Sequence, residues 1–238
     1  MKIALIGYGK MGKAIEAIAV ERGHEIVLRV SIENVEDNTI ENIRRADVAI
    51  EFTGPDSAAD NLLKCLEAKV PVICGSTGWL NRYEEISNRF KKKKGSLLYA
   101  SNFSVGVNLF FELNRKLIRL MKNHPDYEVS VHEIHHTEKK DAPSGTAITI
   151  AEQILKKHPV KTTWVNHPSV QPEELSVTSE RTDPAPGTHI VTYGSPVDDI
   201  QIRHTAHNRT GFATGAVLAA EFLKGKRGIY TMNDVLDL

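Results

Sequence analysis

Ile3-Ala4-Leu5-Ile6-Gly7-Tyr8-Gly9-Lys10-Met11-Gly12 is the stretch that decides the fold. Ile3 to Ile6 predicts a short buried strand, Gly7, Gly9 and Gly12 make a GxGxxG loop, and Met11, Ile15, Ile18 and Ala19 recur at helical spacing until Gly23. Each glycine has a mechanical part to play. The first permits the tight turn, the second lets backbone approach a pyrophosphate, and the third lets helix and strand pack closely. The helix start then offers unpaired N–H groups and a partial positive charge to the phosphates. In this strand–loop–helix setting the motif predicts dinucleotide binding.

Outward from this unit the chain keeps alternating. Ile26 to Val30 and Asp47 to Phe52 read as the second and third strands, with only a small helix (Ile40 to Arg45) between them. A helix from Asp56 to Ala68, a strand from Pro71 to Cys74, a charged amphipathic helix from Asn81 to Lys94 and a strand from Leu97 to Ala100 follow. Strands separated by helical segments predict βαβ crossovers and a parallel sheet.

Past Asn102 the texture changes. A helix is expected over Val105 to Lys122, a strand over Tyr127 to His135, and a second helix ending near Lys157. Residues 159–187 carry Pro159, Pro168, Pro172, Pro184 and Pro186, which predicts loop or edge structure. Thr188 to Tyr193 and Asp199 to Ala206 read as an antiparallel pair, Phe212 to Leu223 as a helix, and Met232 to Leu236 as a short closing segment. The expected class is α/β: a Rossmann-type doubly wound parallel sheet over 1–103 plus 212–238, and a second α+β unit over 104–211.

The 238 residues carry 30 basic and 30 acidic side chains, and this balance argues against a general nucleic-acid binder, which shows a basic excess. A chain of this length buries a core without covalent staples. Its two cysteines, Cys65 and Cys74, sit in apolar surroundings with no metal-ligand spacing, so reduced buried thiols are expected. No apolar run approaches the ~18 residues of a membrane span. The N-terminus runs straight into the glycine loop with no signal peptide, so a soluble, cytoplasmic protein is expected.

A dinucleotide site of this kind ordinarily has an acid at the end of the second strand, holding the ribose 2′-hydroxyl. Here the strand ends in Ser31, and Glu33 falls two residues late. Without a carboxylate at Ser31 the repulsion that rejects a 2′-phosphate is missing, so NADPH is expected to be accepted alongside NADH. Two further loops, Phe52-Thr53-Gly54-Pro55 and Gly75-Ser76-Thr77-Gly78, follow strands and fall where loops line the crevice of an open α/β sheet.

The run from Glu133 to Ala147, EIHHTEKKDAPSGTA, concentrates the chemistry. A strand delivers His135 and His136 to a loop, Lys139 follows, and Ser144 is placed to cap a helix whose first N–H groups, at Gly145 and Thr146, suit a carboxylate. His135 is a residue type that titrates near neutrality, and Lys139 brings a cation able to protonate or stabilise developing negative charge. Two other readings stand beside this one: His132, His135 and His136 as metal ligands, disfavoured by alternating strand faces, or a solvated polar loop.

The same run closely resembles the signature E-x-H-H-x-x-K-x-D-A-P-S-G-T-A of the bacterial dihydrodipicolinate reductases. Gly75 to Trp79 resembles the family's G-[ST]-T-G loop, Ser101 to Asn108 its N-F-S-x-G-V-N hinge, and Phe212 to Ala216 its F-A-x-G-A motif. The resemblance spans essentially the whole chain. It implies NAD(P)H-dependent reduction of 4-hydroxy-tetrahydrodipicolinate in lysine and diaminopimelate biosynthesis. His135 would be the general acid/base, Lys139 the proton donor, and His136, Gly145 and Thr146 the substrate-carboxylate binders. Gly7, Tyr8, Gly9, Lys10, Met11 and Gly12, with Gly75, Ser76 and Thr77 and with Ala100, Ser101, Asn102 and Phe103, would contact NADH or NADPH. The second unit would bind substrate and join a homotetramer. The sequence departs from the family in its shorter glycine loop and in Ser31, where many members carry an acid; both touch cofactor choice.

Other features have plainer readings. Lys91 to Lys94 lie at the C-terminal end of a predicted helix and suit its dipole. Phe103, Phe110 and Phe111 read as core and hinge packing, and Arg203, His204 and Arg209 as cleft-lining or strand-surface charge. The competing functional classes are another two-domain NAD(P) oxidoreductase, aspartate or homoserine dehydrogenase-like, and a non-catalytic dinucleotide sensor. The sensor would need no proton donor such as Lys139.

Overall fold

The computed structural model describes residues 1–208 and 210–238, so Arg209 lies outside the described residues. The chain forms two units, one of Met1–Val105 with Thr210–Leu238 and one of Gly106–Arg209. In chain order the first holds β1 (Lys2–Ile6), α1 (Lys10–Glu21), β2 (Glu25–Val30), α2 (Ile40–Ile43), β3 (Val48–Glu51), α3 (Pro55–Ala68), β4 (Val72–Cys74), α4 (Tyr83–Lys92) and β5 (Ser96–Tyr99). Then come α5 (Val105–Met121), β6 (Glu128–His135), α6 (Gly145–Leu155), β7 (Thr163–Val165), β8 (Glu174–Arg181), β9 (Gly187–Gly194) and β10 (Asp199–Ala206). The chain returns to the first unit with α7 (Thr210–Leu223), β11 (Gly228–Tyr230) and α8 (Met232–Leu236).

The first sheet is parallel throughout, in the order β2-β1-β3-β4-β5-β11. Its inner strands are apolar on both faces because both faces are covered. Ile3 and Leu5 pack with Ile15 and Ala19 of α1 and with Ala213, Ala216 and Ala220 of α7. Their neighbours Ala4 and Ile6 face the other way, onto Leu62 and Leu66 of α3 and Ile86 and Phe90 of α4. This is the doubly wound α/β arrangement, and the strand order reverses between β1 and β3. Loops leaving the carboxyl ends of those two strands border the crevice where such sheets bind ligands.

The second sheet runs β10-β9-β6-β8-β7. β9 pairs antiparallel with both β10 and β6, while β8 lies parallel to both β6 and β7. Alternation along β6 turns Val129 and Val131 onto Phe110, Phe111 and Ile118 of α5 and Ile150 and Ile154 of α6. Phe103 is core in the first unit, its ring 5.5 Å from that of Phe52. Cys65 and Cys74 are free and buried, and burial pushes both thiols well above the ordinary cysteine range.

Three local expectations need correction. The stretch over 159–187 does contain an edge strand, β7, but also the eight-residue β8, an interior strand that the expectation of loop or edge missed. Its prolines all fall outside β7 and β8, so they punctuate strands and do not exclude them. The helix expected from Asn81 opens as a 3₁₀ turn, Leu80–Arg82, with α4 beginning at Tyr83. β11 has no counterpart among the expected strands, because three residues carry no period; it pairs with Ser96 to Leu98 of β5.

Candidate active site

In the first unit, four loops meet around one side chain. Gly7 has φ +104, and a Cβ there would stand 2.1 Å from the Phe52 carbonyl oxygen. A Cβ at Gly75 would stand 2.2 Å from the Phe52 ring, which also packs against Phe103. Ser76 adds a further tie, its hydroxyl accepting from the Thr53 amide at 2.8 Å. Phe52 thereby holds the loops after β1, β3, β4 and β5 together, and with them most of the sequence-expected cofactor residues.

The glycine loop fits a dinucleotide on three local observations. A Cβ at Gly12 would strike the Gly7 carbonyl at 2.5 Å, so helix and loop need glycine to touch. Gly9 faces open space within 4 Å, leaving its backbone approachable. Gly9 also caps α1 with no side-chain hydrogen bond and no acid in the first turn, so α1 keeps its first N–H groups for a phosphate. Gly7, Tyr8, Gly9 and Ser31 border a cleft of about 480 Å³ that Thr53 and Asn61 also line. Lys10 and Met11 stand on the first turn of α1. No carboxylate is among the residues lining the cleft. Ser31 is engaged locally: its amide and hydroxyl both donate to Asn34 Oδ1, at 2.7 and 2.9 Å. Asn102 accepts from the Ser104 amide at 2.9 Å, and Thr77, Ala100 and Ser101 lie in the same strand-end loops.

In the second unit, the pleat that buries Val129 and Val131 also turns Glu133 and His135 inward. Glu133 is 0% exposed, and its Oε1 accepts from the Ser144 amide (3.0 Å), the Ser179 hydroxyl (2.8 Å) and the Arg181 guanidinium (3.2 Å). Its Oε2 lies 3.3 Å from His135 Nδ1 and 3.6 Å from His189 Nε2. The two imidazoles meet edge to face, 5.1 Å between centroids. Burial pushes the Glu133 carboxyl up, but the donors around it, His135 and His189 first, outweigh burial and hold it well below the usual carboxylate range. Burial pulls His189 below the ordinary histidine value.

Ser144 caps α6, its hydroxyl accepting from the Ala147 amide at 3.2 Å. Gly145 and Thr146 open that helix as expected, and the space over Gly145 is clear within 4 Å. Lys139 holds both oxygens of Asp141 at 2.8 Å, and that contact keeps the Asp141 carboxyl low. His136 borders a cavity of about 470 Å³ with Thr137, Asp183 and Asn208. His135 thus stands inside the unit on Glu133, while Lys139 and His136 occupy the loop beyond the strand. His132 is turned to the other face, its Nδ1 2.8 Å from the Thr178 hydroxyl, so the three histidines of 132–136 do not converge on one point. Glu133, His135 and His189 do converge, with ligand-type atoms within 4.8 Å, and the Arg181 cation and two further donors sit on Oε1 of that carboxylate. His204 packs its ring on Phe110 at 6.1 Å, and Arg203 donates to Thr205.

The reading from sequence assigned no role to Glu133, Ser179, Arg181 or His189. Period-two alternation from the apolar Val129 and Val131 leads to an inward Glu133, and that is a local signal. Ser179, Arg181 and His189 come from strands 46 to 56 positions away and leave none.

Comparison with known proteins follows this division of the chain. Residues 1–103 match the family model "Dihydrodipicolinate reductase, N-terminus" and residues 106–236 "Dihydrodipicolinate reductase, C-terminus". The chain belongs to the dihydrodipicolinate reductase family. A 4-hydroxy-tetrahydrodipicolinate reductase of Christiangramia forsetii is 48% identical over 238 residues, covering 99% of this chain and 98% of that one. The reductase of Neisseria meningitidis serogroup B is 33% identical over 94% of this chain and 84% of its own. Among solved structures, a dipicolinate-bound dihydrodipicolinate reductase from Paenisporosarcina sp. TG-14 superposes with a TM-score of 0.76 at 22% identity, each chain covered to 97%, which is a likeness of fold. As a reductase of this family the chain is an NAD(P)H-dependent oxidoreductase.

Proposed function

We propose that this chain reduces 4-hydroxy-tetrahydrodipicolinate to tetrahydrodipicolinate, and that His135 and Lys139 handle the proton while His136 and the Gly145–Thr146 amides hold substrate carboxylates. The observation that carries this reading is the shared anchor: Glu133 contacts both the His135 imidazole and the cap residue of α6. A proton-carrying ring and an anion-binding helix start are thereby kept in one frame, as reduction of a carboxylate-bearing ring requires.

Bound nicotinamide supplies the hydride, and the reaction then needs one proton and a route for the departing water. In this chain the first N–H groups of α6 and the His136 side chain take the negative carboxylates. Lys139, an ammonium on a mobile stem now resting on Asp141, exchanges that partner for the substrate and gives the proton. His135, with Nδ1 toward Glu133, serves through Nε2. The first-unit residues Gly7 to Gly12, Gly75 to Thr77 and Ala100 to Phe103 hold the cofactor. Absence of an acid from the cleft beside Ser31 supports acceptance of NADPH as well as NADH.

Two coarser readings accompany this one. We infer a homotetramer joined through the second sheet, supported by its uncovered face, where Ser130, His132, Ile134, Thr178, Ile190 and Thr192 are all half-buried. We infer a cytoplasmic enzyme, supported by two cysteines that remain free thiols. No helix among the described residues is long and apolar enough to cross a membrane.

The test is a coupled assay with pyruvate, aspartate semialdehyde and a dihydrodipicolinate synthase, following cofactor absorbance. Oxidation that depends on the synthase is expected; none would overturn the reading. In the same assay Lys139→Ala should lower kcat by about two to four decades, the scale of general-acid loss, with NADPH affinity unchanged. A fully active Lys139→Ala enzyme would remove that role.

A further inference from the structure

We propose that Glu133 is the positioning residue of the site: one buried carboxylate that sets the orientation and tautomer of His135, shares itself with His189, and locks both to the start of α6. This deepens the function proposed above and rests on its placing of His135 at the reacting centre.

A carboxylate with no exposure is costly to bury, and native chains keep one only where donors surround it. Glu133 has five neighbours of that kind on four elements or their loops: Ser144 before α6, Ser179 and Arg181 on β8, His189 on β9, and His135 on its own strand. Strand packing alone would be served by another valine, as at Val129 and Val131. The buried charge instead fixes a geometry. Oε1 takes the three structural donors, which leaves Oε2 for the two imidazoles.

The result is a defined proton inventory. Nδ1 of His135 faces Oε2 at 3.3 Å and finds no hydrogen-bond partner elsewhere among the described residues. A carboxylate only accepts, so the ring keeps its hydrogen on Nδ1 and presents Nε2 with a free lone pair. Nε2 points past Gly187, where a Cβ would stand 3.0 Å away. His189 meets the same Oε2 with its Nε2 and also contacts the Ser144 hydroxyl at 3.1 Å, closing a loop from Glu133 through His189 to the helix cap. Movement of the cap therefore reaches His135 through two routes.

Glu133→Gln is the informative change, because the amide keeps the volume and an acceptor for Ser144 and Ser179 while replacing Oε2 by an N–H. We expect kcat to fall about a hundredfold, the range of lost proton-transfer geometry, with KM for the dicarboxylate within about threefold. The limb of the pH–rate profile that reports the imidazole should move to lower pH, since the protonated ring loses its counter-charge. The charged groups facing His135 are Glu133, the His189 ring and, beyond them, Arg181 and Lys139; only the first changes. Glu133→Asp, which restores the charge, should recover part of kcat and return the limb.

A structural role alone would lower the melting temperature and leave the profile in place, and that outcome overturns the proposal. Nitrogen NMR of histidine-labelled full-length protein without substrate reads the ring directly. The Nδ1–H tautomer of His135 in the unaltered protein supports the proposal, and the Nε2–H tautomer overturns it even if the variant fails to fold. His135→Ala, assayed in parallel, separates the two ideas. Full activity there would remove His135 from the reaction, whereas an impaired His135→Ala beside an unimpaired Glu133→Gln would sink the positioning role alone.

Discussion

Gly187 shows how little room the site has. Its missing Cβ clears His135 Nε2, and the first carbon of any side chain would sit 3.0 Å from that nitrogen and 3.3 Å from Cδ2. The ring is buried and backed by Glu133, so it can give only by leaving its position. With His135 in its proposed role, Gly187→Ala should therefore lower kcat by about tenfold or more while leaving the KM for NADPH unchanged, because misplacing such a group costs rate before binding. Steady-state kinetics on the purified variant checks it, and a wild-type kcat would mean the ring adapts freely. At this scale the sequence was legible wherever neighbours in the chain are neighbours in space. Gly7, Gly12 and Ser144 carry their function in local spacing. His189 and Arg181 do not, because their partner Glu133 is reached only across strands.

Three helices of the first unit end in the same hydrogen-bonded turn with different residues at its left-handed position. After α1 the position is Gly23 (φ +79), after α3 it is Lys69 (φ +61), and after α4 it is Lys94 (φ +53). In the last case the Gly95 amide reaches back to the Phe90 carbonyl and the Lys94 amide to Lys91. A side chain in this conformation costs roughly 1–2 kcal/mol, and glycine returns about 0.4–1 kcal/mol of that through the freer unfolded chain. Lys94→Gly should thus stabilise by about 0.5 kcal/mol, since Lys91 to Lys93 remain to oppose the helix dipole. Gly23→Ala should destabilise, by about 1 kcal/mol, although no atom lies within 4 Å of its Cβ. Urea midpoints of the two variants should move in opposite directions; a common direction would refute the conformational account. Elements with long periods, α1, α3 and α5, were legible from sequence. β8 was hidden by flanking prolines, and β11 was too short to carry a pattern of its own.

For the molecule as a whole, acid is the direction of weakness. Glu133 sits well below its ordinary value of 4.5 in the folded chain, and His189 sits below its ordinary 6.5 because burial disfavours the cation. For both groups the unfolded chain binds more protons than the folded one, so stability rises with pH across the interval between the two values and falls on acidification. Loss should begin as pH drops below about 6.5, where His189 of the unfolded chain takes a proton, and steepen below about 4.5, where Glu133 does so too. Urea midpoints at pH 7.5, 5.5 and 4 should fall in that order, and Glu133→Gln should flatten the lower interval. A midpoint that holds constant to pH 4 would contradict the network's ionisation.

The return of α7, β11 and α8 to the first sheet also has a consequence in time. Every strand of the second sheet has been made once residue 206 leaves the ribosome, whereas α1 still waits for Glu221, which Arg22 and His24 grip at 2.7 Å, and β5 waits for β11. A nascent chain arrested before Thr210 would thus hold a complete second sheet beside a first sheet with one edge and the α7 layer still unmade.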